Sequence, residues 1–496
     1  MNQIVVATRT GAVGGAELDG VRLFLGVPYA APPVDELRFR LPQPPARWEG
    51  VRRATDPGPN APQTMRAFPQ LDMTPLVGEG WRKGDDFLTL NIWTPAVGAA
   101  GLPVMVFIHG GAFVVGSKDA SANDGSGFAR SGVVCVAINY RMGVEGFLPI
   151  PGAPANLGLH DQLAALAWVR DNIAAFGGDP ANVTVFGESA GAMSVADLIA
   201  SPLAEGLFGR AIVQSGHGAM VRAPRVARRV VDRLARRLRI TPDVEGFRTR
   251  TIEECLAALE KISRPTTRID LRDEDGRESA FSLSRFLPVF GDAVLPDPPL
   301  EALRKGVGAK VDLLIGTNAE EVSLYMTPTG ARRRMTGWMA RFTLGRSEPR
   351  AREILKAYGL GRKGRRPGDA LTEAMTDLIF RLPARQFART HQGRTHLYEF
   401  DWCSPACGGE LGACHALEIP FVFDTLARCS GPGGITGSAP PQALADRIHG
   451  LWVGFARDGS LPWPQYDAKT RQIFALDKGV AITDPDILAE PFLPQP

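Results

Sequence analysis

An α/β fold on a large, mainly parallel sheet is what this chain of 496 residues predicts, and three observations carry the prediction. The first is a set of short apolar runs rich in valine and isoleucine: Leu88 to Trp93, Val104 to His109 and Val133 to Asn139. Each fits a strand buried on both faces, as parallel sheets require. The second is the amphipathic helical segment His160 to Phe176, with Leu163, Leu166, Trp168, Val169 and Ile173 at helix spacing. Gly177-Gly178-Asp179-Pro180 ends it and turns the chain into a further strand, Asn182 to Phe186. The third lies directly after that strand: Gly187-Glu188-Ser189-Ala190-Gly191 and then Ala192 to Ala200, the first turns of an apolar helix.

Taken in order, the chain before position 60 is strand-and-turn text, and the prolines of Val27-Pro28-Tyr29-Ala30-Ala31-Pro32-Pro33 mark a surface loop. After Gln214-Ser215-Gly216 the texture changes. Residues 222–285 read as helical and arginine-rich, with Val226, Val230, Leu234 and Leu238 at helix spacing. A second helical stretch, Arg332 to Arg381, follows the strand Val311 to Ile315 and stops just before Pro383. Both read as insertions forming a cap over the sheet, at about 222–285 and 325–381 of one domain spanning 1–496. The basic face Arg225, Arg228, Arg229 and Arg236 is a candidate contact for a membrane or an anionic substrate, against the simpler reading of a solvated helix face. The glycine- and proline-rich stretch 431–441 is a loop.

Composition excludes several classes. Hydrophobic content of 44% and charged content of 22% are those of an ordinary globular protein, and a net charge of +3 gives no reason to expect nucleic acid as a partner. Neither a secretory leader nor a run of roughly 18 apolar residues is visible, so a cytoplasmic protein without stable membrane association is expected. Six cysteines are too sparse for a disulfide framework in a chain this long. Cys403, Cys407, Cys414 and His415 lie close together but lack metal-ligand spacing, so no metal or cofactor is expected. Oligomeric state is not readable.

A serine flanked by glycines between a strand and a helix is the nucleophile elbow of the α/β-hydrolase fold, whose tight turn admits only small neighbours and lifts the hydroxyl above the sheet. With 55 glycines the bare pattern arises by chance roughly 0.3 times, so the surrounding strand and helix carry the weight. Acyl transfer also needs a base, an orienting acid and donors for the oxyanion. His109-Gly110-Gly111-Ala112-Phe113 follows a strand, and the N–H groups of Gly110 and Gly111, with that of Ala190, are the candidate donors. In this fold the order is serine, acid, histidine; His415 satisfies it, as do His391, His396 and His449. The acid falls on the loop Gly316-Thr317-Asn318-Ala319-Glu320-Glu321, where spacing leaves Glu320 and Glu321 open.

Together these residues resemble the type-B carboxylesterase/lipase family, over nearly the whole chain. The matching stretches include Phe24 to Ala30, Leu37 to Arg40, Asp86 to Asn91, His109 to Phe113, Asn139-Tyr140-Arg141, Asn156 to Gln162, Ala167 to Ile173, Phe176 to Pro180 and Trp452 to Gly459. The resemblance implies a serine carboxylesterase working through an acyl-enzyme, with Ser189 as nucleophile, Glu321 as acid, His415 as base, and Gly110, Gly111 and Ala190 as oxyanion donors. It implies a small-molecule ester substrate. The family's Asp-Glu-Gly triplet reads Glu320-Glu321-Val322 here, which leaves Glu320 in reserve. Ala61 and Phe87 stand where many secreted members carry a disulfide, in keeping with a bacterial-type cytoplasmic enzyme. The His-Gly-Gly-Ala-Phe form resembles members that accept bulky, even tertiary, alcohols.

Alternatives are the same chemistry on an amide, thioester, lactone, toxin or drug ester, or a non-catalytic binding member, against which the complete set of candidate residues speaks. Trp81, Phe113, Phe286, Phe290 and Trp338 are candidate pocket walls, each equally a core residue, and Arg332 to Arg334 are candidate anchors for a carboxylate-bearing substrate.

Overall fold

The computed structural model describes residues 4–65, 67–98, 100–264, 267–281 and 283–493. Among these residues thirteen strands form one sheet. They are β1 (Ile4–Ala7), β2 (Ala12–Leu18), β3 (Val21–Pro28), β4 (Val51–Arg53), β5 (Thr89–Thr94), β6 (Leu102–Ile108) and β7 (Val134–Ile138). Then come β8 (Gly178–Glu188), β9 (Arg210–Gln214), β10 (Asp312–Asn318), β11 (Thr395–Phe400), β12 (Gln472–Ala475) and β13 (Val480–Thr483). The order across the sheet is β1-β2-β3-β5-β7-β6-β8-β9-β10-β11-β12-β13, with β4 beside β2.

From β7 to β12 every neighbouring pair is parallel. The two margins are antiparallel hairpins. The strand read from Leu88 to Trp93 differs from expectation here: as β5 it pairs antiparallel with both β3 and β7. All six of its residues are nonetheless buried, because layers cover both sheet faces. An apolar run reports burial on two faces, not strand direction.

Helix α1 (Leu157–Asn172) precedes β8 and is buried over most of its circumference rather than amphipathic. The remainder of the predicted helix, Ile173–Phe176, is a tighter 3-10 turn. Helix α2 (Ala190–Ile199) follows β8 and is buried throughout. The first insertion supplies α3 (Pro224–Leu238) and α4 (Ile252–Ile262), the latter opened by a capping box between Thr251 and Glu254. Its second half, from 267 to 285 where described, is turns and extended chain instead of helix. Aspartates, glycine and serine crowd that stretch and favour turns.

In the second insertion, α5 (Gly337–Gly345), α6 (Ala351–Ala357) and α7 (Pro367–Thr376) pack on one another. The expected stop before Pro383 does not occur. A π turn, Asp377–Arg381, carries the helix from α7 into α8 (Leu382–Thr390), and the Ile379 carbonyl, one turn before Pro383, accepts from His217 Nε2 at 2.6 Å, which offsets the N–H that the proline lacks.

Candidate functional site

The candidate groups converge at the carboxyl ends of the parallel strands. Ser189 follows β8 directly, His109 to Gly111 follow β6, Glu321 lies three residues past β10, and His415 lies on the loop after β11. Ligands in open α/β sheets sit at this edge.

Ser189 has φ 55° and ψ −123°, a strained conformation for a residue with a Cβ. Its N–H donates to the Gln214 carbonyl at 2.9 Å, and its own carbonyl accepts from Met193 N at 2.8 Å, so strand and helix both hold the turn. The flanking glycines are sterically required: a Cβ on Gly191 would lie 1.9 Å from the Ile108 oxygen, and one on Gly187 would lie 2.6 Å from the Gly191 carbonyl carbon. As first residue of α2, Ala190 has an N–H with no partner inside the helix.

The Ser189 Oγ lies 2.7 Å from His415 Nε2, and His415 Nδ1 lies 2.6 Å from Glu321 Oε2. Glu321 is fully buried, and its other oxygen accepts from Asn318 N at 2.8 Å. With the proton on Nδ1 shared with Glu321, Nε2 is free to accept from the serine hydroxyl. Phe380 and Tyr325 cover the imidazole, with ring centroids 4.7 Å and 5.8 Å away.

Glu320 turns elsewhere. Its Oε2 accepts from Ala413 N at 3.1 Å, and its own N–H donates to the Ala413 carbonyl at 2.9 Å, which pins the loop carrying His415. Val322, where the family has glycine, has φ −74°, a conformation open to any residue, and its N–H donates to Thr376 Oγ1 at 3.1 Å.

Two buried carboxylates escaped the sequence reading. Glu188, inside the elbow motif, places Oε1 3.1 Å from His415 Nε2, the same nitrogen that faces Ser189. Burial pushes its pKa up to about 8, with help from Glu418 and Glu321 against the opposing pull of His415. Glu418 accepts from Asn318 Nδ2 at 2.7 Å and from Gln214 Nε2 at 3.2 Å. His415 is drawn both ways: burial lowers its pKa, but Glu188 and Glu321 outweigh burial and raise it to about 9. The signal was present, since Glu188 adjoins Ser189 and Glu418 follows His415 by three residues, but neither spacing names a role.

Gly110 and Gly111 border the same cleft as Ser189 and His415. A Cβ on Gly110 would lie 2.6 Å from Glu188 Oε2 and 3.1 Å from Ser189 Cβ, so only glycine lets this loop approach the elbow. His109 is buried and stacked on Tyr140 at 4.5 Å, and burial lowers its pKa to about 4, keeping it neutral.

The cleft holds about 430 Å³ and is walled largely by apolar groups, among them Met65, Leu76, Leu259, Phe286 and Ile419. Such a space suits a small organic ligand. Of the five aromatic residues considered as walls, Phe286 alone borders it. Phe113 is core, packed on Phe147 at 4.6 Å; Phe290 packs against the core, Trp81 lies under Lys83, and Trp338 is 70% exposed.

Arg332 to Arg334 are not cleft residues. Arg332 pairs with Asp369 at 2.8 Å, Arg333 with Glu410 at 2.9 Å, and Arg334 donates to the Gly330 and Thr329 carbonyls. Three of the four arginines on the basic face of α3 are likewise engaged: Arg225 pairs with Asp273, Arg228 with Asp232, and Arg229 donates to the Asp270 carbonyl.

The model of the carboxylesterase family matches residues 2–486. The chain belongs to the carboxylesterase family. This carboxylesterase is 36% identical to the para-nitrobenzyl esterase of Bacillus subtilis (strain 168), over 98% of this chain and 97% of the relative. It is 33% identical to the phenmedipham hydrolase of Pseudarthrobacter oxydans, over 96% of both chains. Among solved structures it resembles a Geobacillus stearothermophilus carboxylesterase at 35% identity, with a TM-score of 0.82 over 97% of this chain and 98% of that one. It has the α/β-hydrolase fold and is a carboxylic ester hydrolase.

Proposed function

We propose that Ser189, His415 and Glu321 are the catalytic triad of this esterase, with Gly110, Gly111 and Ala190 as oxyanion donors. The observation that carries the reading is the unbroken chain Ser189 Oγ–His415 Nε2–His415 Nδ1–Glu321 Oε2, at 2.7 Å and 2.6 Å, at the wall of an apolar cleft.

In this reading His415 Nε2 takes the hydroxyl proton as Ser189 Oγ bonds to the ester carbonyl carbon. The carbonyl oxygen becomes an oxyanion facing the three backbone N–H groups. The tetrahedral intermediate collapses, the alcohol leaves with the proton from His415, and an acyl-Ser189 ester remains. Water attacks this ester by the same route, releasing the acid and restoring the serine. Glu321 holds the imidazole tautomer and balances its transient positive charge.

The substrate class is neutral carboxylic esters with apolar acyl and alcohol parts, bulky and tertiary alcohols included. The apolar walls and the glycine loop beside Ser189 support it. A reducing, cytoplasmic setting in a bacterium accords with six free cysteines and with bacterial relatives. The chain is read as one catalytic unit capped by the two insertions.

The test is hydrolysis of p-nitrophenyl acetate, butyrate and octanoate by the wild type and by Ser189→Ala. Loss of about 10⁴-fold or more in kcat is expected, with covalent labelling of the wild type alone by a fluorophosphonate. Retained activity in Ser189→Ala overturns the assignment. Hydrolysis of primary but not tertiary alcohol esters removes the bulky-alcohol reading.

A further inference from the structure

The helix α5 carries an arrangement that the acyl chemistry does not use. Ala340 and Leu344 are buried and dock it on the protein, while Trp338, Met339 and Phe342 are 70%, 39% and 53% exposed on the other side. Trp338 and Phe342, one turn apart, stack on each other with centroids 5.6 Å apart and planes 14° from parallel. Exposed aromatic pairs with an apolar neighbour mark interaction sites more often than isolated exposed side chains do.

The surroundings are unusually basic. Residues 331–366 contain twelve lysines and arginines against two glutamates, a net of +10 in 36 residues, whereas the whole chain carries only +3. Everything outside the stretch therefore sums to −7, so the positive charge is concentrated here. Both glutamates are already paired, Glu348 with Arg277 and Glu353 with Arg350. Among the described residues no carboxylate lies within ion-pair reach of Arg341, Arg352, Lys356, Arg362 or Lys363, all of them exposed.

These charges lie on the elements that carry or adjoin the aromatic pair. A Cβ added to Gly337 would lie 3.8 Å from both Arg341 Nη1 and Leu360 Cδ1, which brings the 359–366 turn, with Arg362 and Lys363, beside the start of α5. Arg352 and Lys356 lie on α6, which packs against α5. The outer wall of the second insertion thus carries an aromatic and methionine tip with unpaired cations on the same helix, on the helix packed against it and on the neighbouring turn.

We infer that this face is a peripheral docking surface for a lipid bilayer bearing anionic headgroups. Tryptophan and phenylalanine are suited to the boundary between headgroups and acyl chains, and lysines and arginines nearby are drawn to the negative surface potential. A second copy of this chain is a poor occupant, because it would bring the same positive wall against this one. Single-stranded nucleic acid also pairs cations with aromatic rings, but it needs ring faces open for stacking. Here Trp338 and Phe342 each have one ring face taken by the other. The contact is reversible, since α5 has nine residues and, among the described residues, no helix is long and apolar enough to cross a membrane. It sets the enzyme at an interface where apolar esters concentrate, and it stands whether or not the triad assignment holds.

The test is flotation of the full chain with vesicles of phosphatidylcholine alone and with a third phosphatidylglycerol, at about 50 and 300 mM salt. Binding to the anionic vesicles at low salt is expected, with at least tenfold weakening at high salt and on neutral vesicles. Trp338→Ala/Phe342→Ala and, separately, Arg341→Glu/Arg362→Glu/Lys363→Glu are each expected to weaken binding at least tenfold, while hydrolysis of soluble p-nitrophenyl butyrate stays within twofold of wild type. That activity shows both variants are folded. Equal binding to neutral vesicles, no binding at low salt, or folded variants that bind as the wild type does would each overturn the proposal. So would displacement from vesicles by a single-stranded oligonucleotide that binds through the same residues.

Discussion

At the scale of single residues, His415 is caught between two buried carboxylates. Glu321 holds Nδ1 at 2.6 Å, and Glu188 faces Nε2 at 3.1 Å. Burial favours the neutral ring, but the two carboxylates prevail and raise the imidazole to about 9. Burial in turn pushes Glu188 up to about 8, so the two groups titrate as a pair. On the proposed triad the neutral ring is the base, so kcat/KM for a neutral ester is expected to rise with pH as the pair loses its proton. Glu188→Gln removes one of the carboxylates that stabilise the imidazolium, and the rising limb is expected to move to lower pH. A limb that stays in place in an active variant would show that Glu188 exerts no charge on His415. At Gly110 an added methyl would press on Glu188 and Ser189, 2.6 Å and 3.1 Å away. If Gly110 is an oxyanion donor as proposed, Gly110→Ala is expected to cost about 10²–10³ in kcat, the scale of losing one such donor, with a smaller change in KM. An unchanged kcat would separate this loop from the chemistry.

The serine was legible because its signal is local: strand, glycine-bounded turn, helix. Its partners were named only through the family resemblance, because spacing does not say which carboxylate meets the histidine; that depends on how one turn directs two adjacent side chains. Glu320 bonds to the Ala413 N–H and Glu321 reaches the imidazole, a difference with no trace in composition or spacing. The rival histidines have other partners that only folding reveals. His391 bonds to Thr395 Oγ1, and His449 to Ser131 Oγ and the Val422 carbonyl.

At the scale of elements, the elbow depends on contact between backbones. A methyl on Gly191 would sit 1.9 Å from the Ile108 oxygen, so α2 could not stay against the end of β6. Gly191→Ala is expected to lower the thermal midpoint, with an overpacking cost of about 1–3 kcal/mol, and to reduce kcat/KM at least a hundredfold. Near-wild-type activity would mean that the turn relaxes freely. Further along α2, Asp197 is 1% exposed, and neither carboxylate oxygen has a hydrogen-bond partner among the described residues. Burial, reinforced by Asp292, raises its pKa well above the ordinary value. The unfolded chain ionises this group near pH 4 while the folded one keeps the proton, so it lowers stability progressively as pH rises above that point. Asp197→Ala is expected to raise the thermal midpoint, and more so at pH 8 than at pH 5. A smaller gain at pH 8 would contradict an unpartnered acid. Helix boundaries were the least readable elements: a proline that ordinarily ends a helix is accommodated after a π turn, and that depends on tertiary packing around Asp377–Arg381.

At the scale of the whole molecule, the parallel centre was legible from the alternation of strands and helices, but the antiparallel margins and the order of strands arise from long-range pairing that no window of sequence contains. Besides the strand pairing through β3 and β5, a buried ion pair ties the amino-terminal part to the centre. Arg141 and Asp161 are 1% and 0% exposed, and the guanidinium meets the carboxylate through Nε at 2.8 Å and Nη2 at 2.7 Å. The remaining nitrogen, Nη1, donates to the Arg40 carbonyl at 2.8 Å, while the Arg141 N–H adds a third bond to Asp161 at 3.0 Å. One arginine thus joins the early loop, the chain after β7 and α1. Desolvating both charges costs nearly what their attraction returns, so the pair adds little net stability, whereas breaking it strands a buried cation. Asp161→Asn is accordingly expected to cost about 3–5 kcal/mol, read as a large fall in the urea midpoint. Arg141→Met/Asp161→Leu removes both charges and is expected to lose less than Asp161→Asn does, despite changing twice as many residues. A double variant weaker than the single one would show that the hydrogen bonds to Arg40 and the backbone, not the buried charge, hold these three parts together.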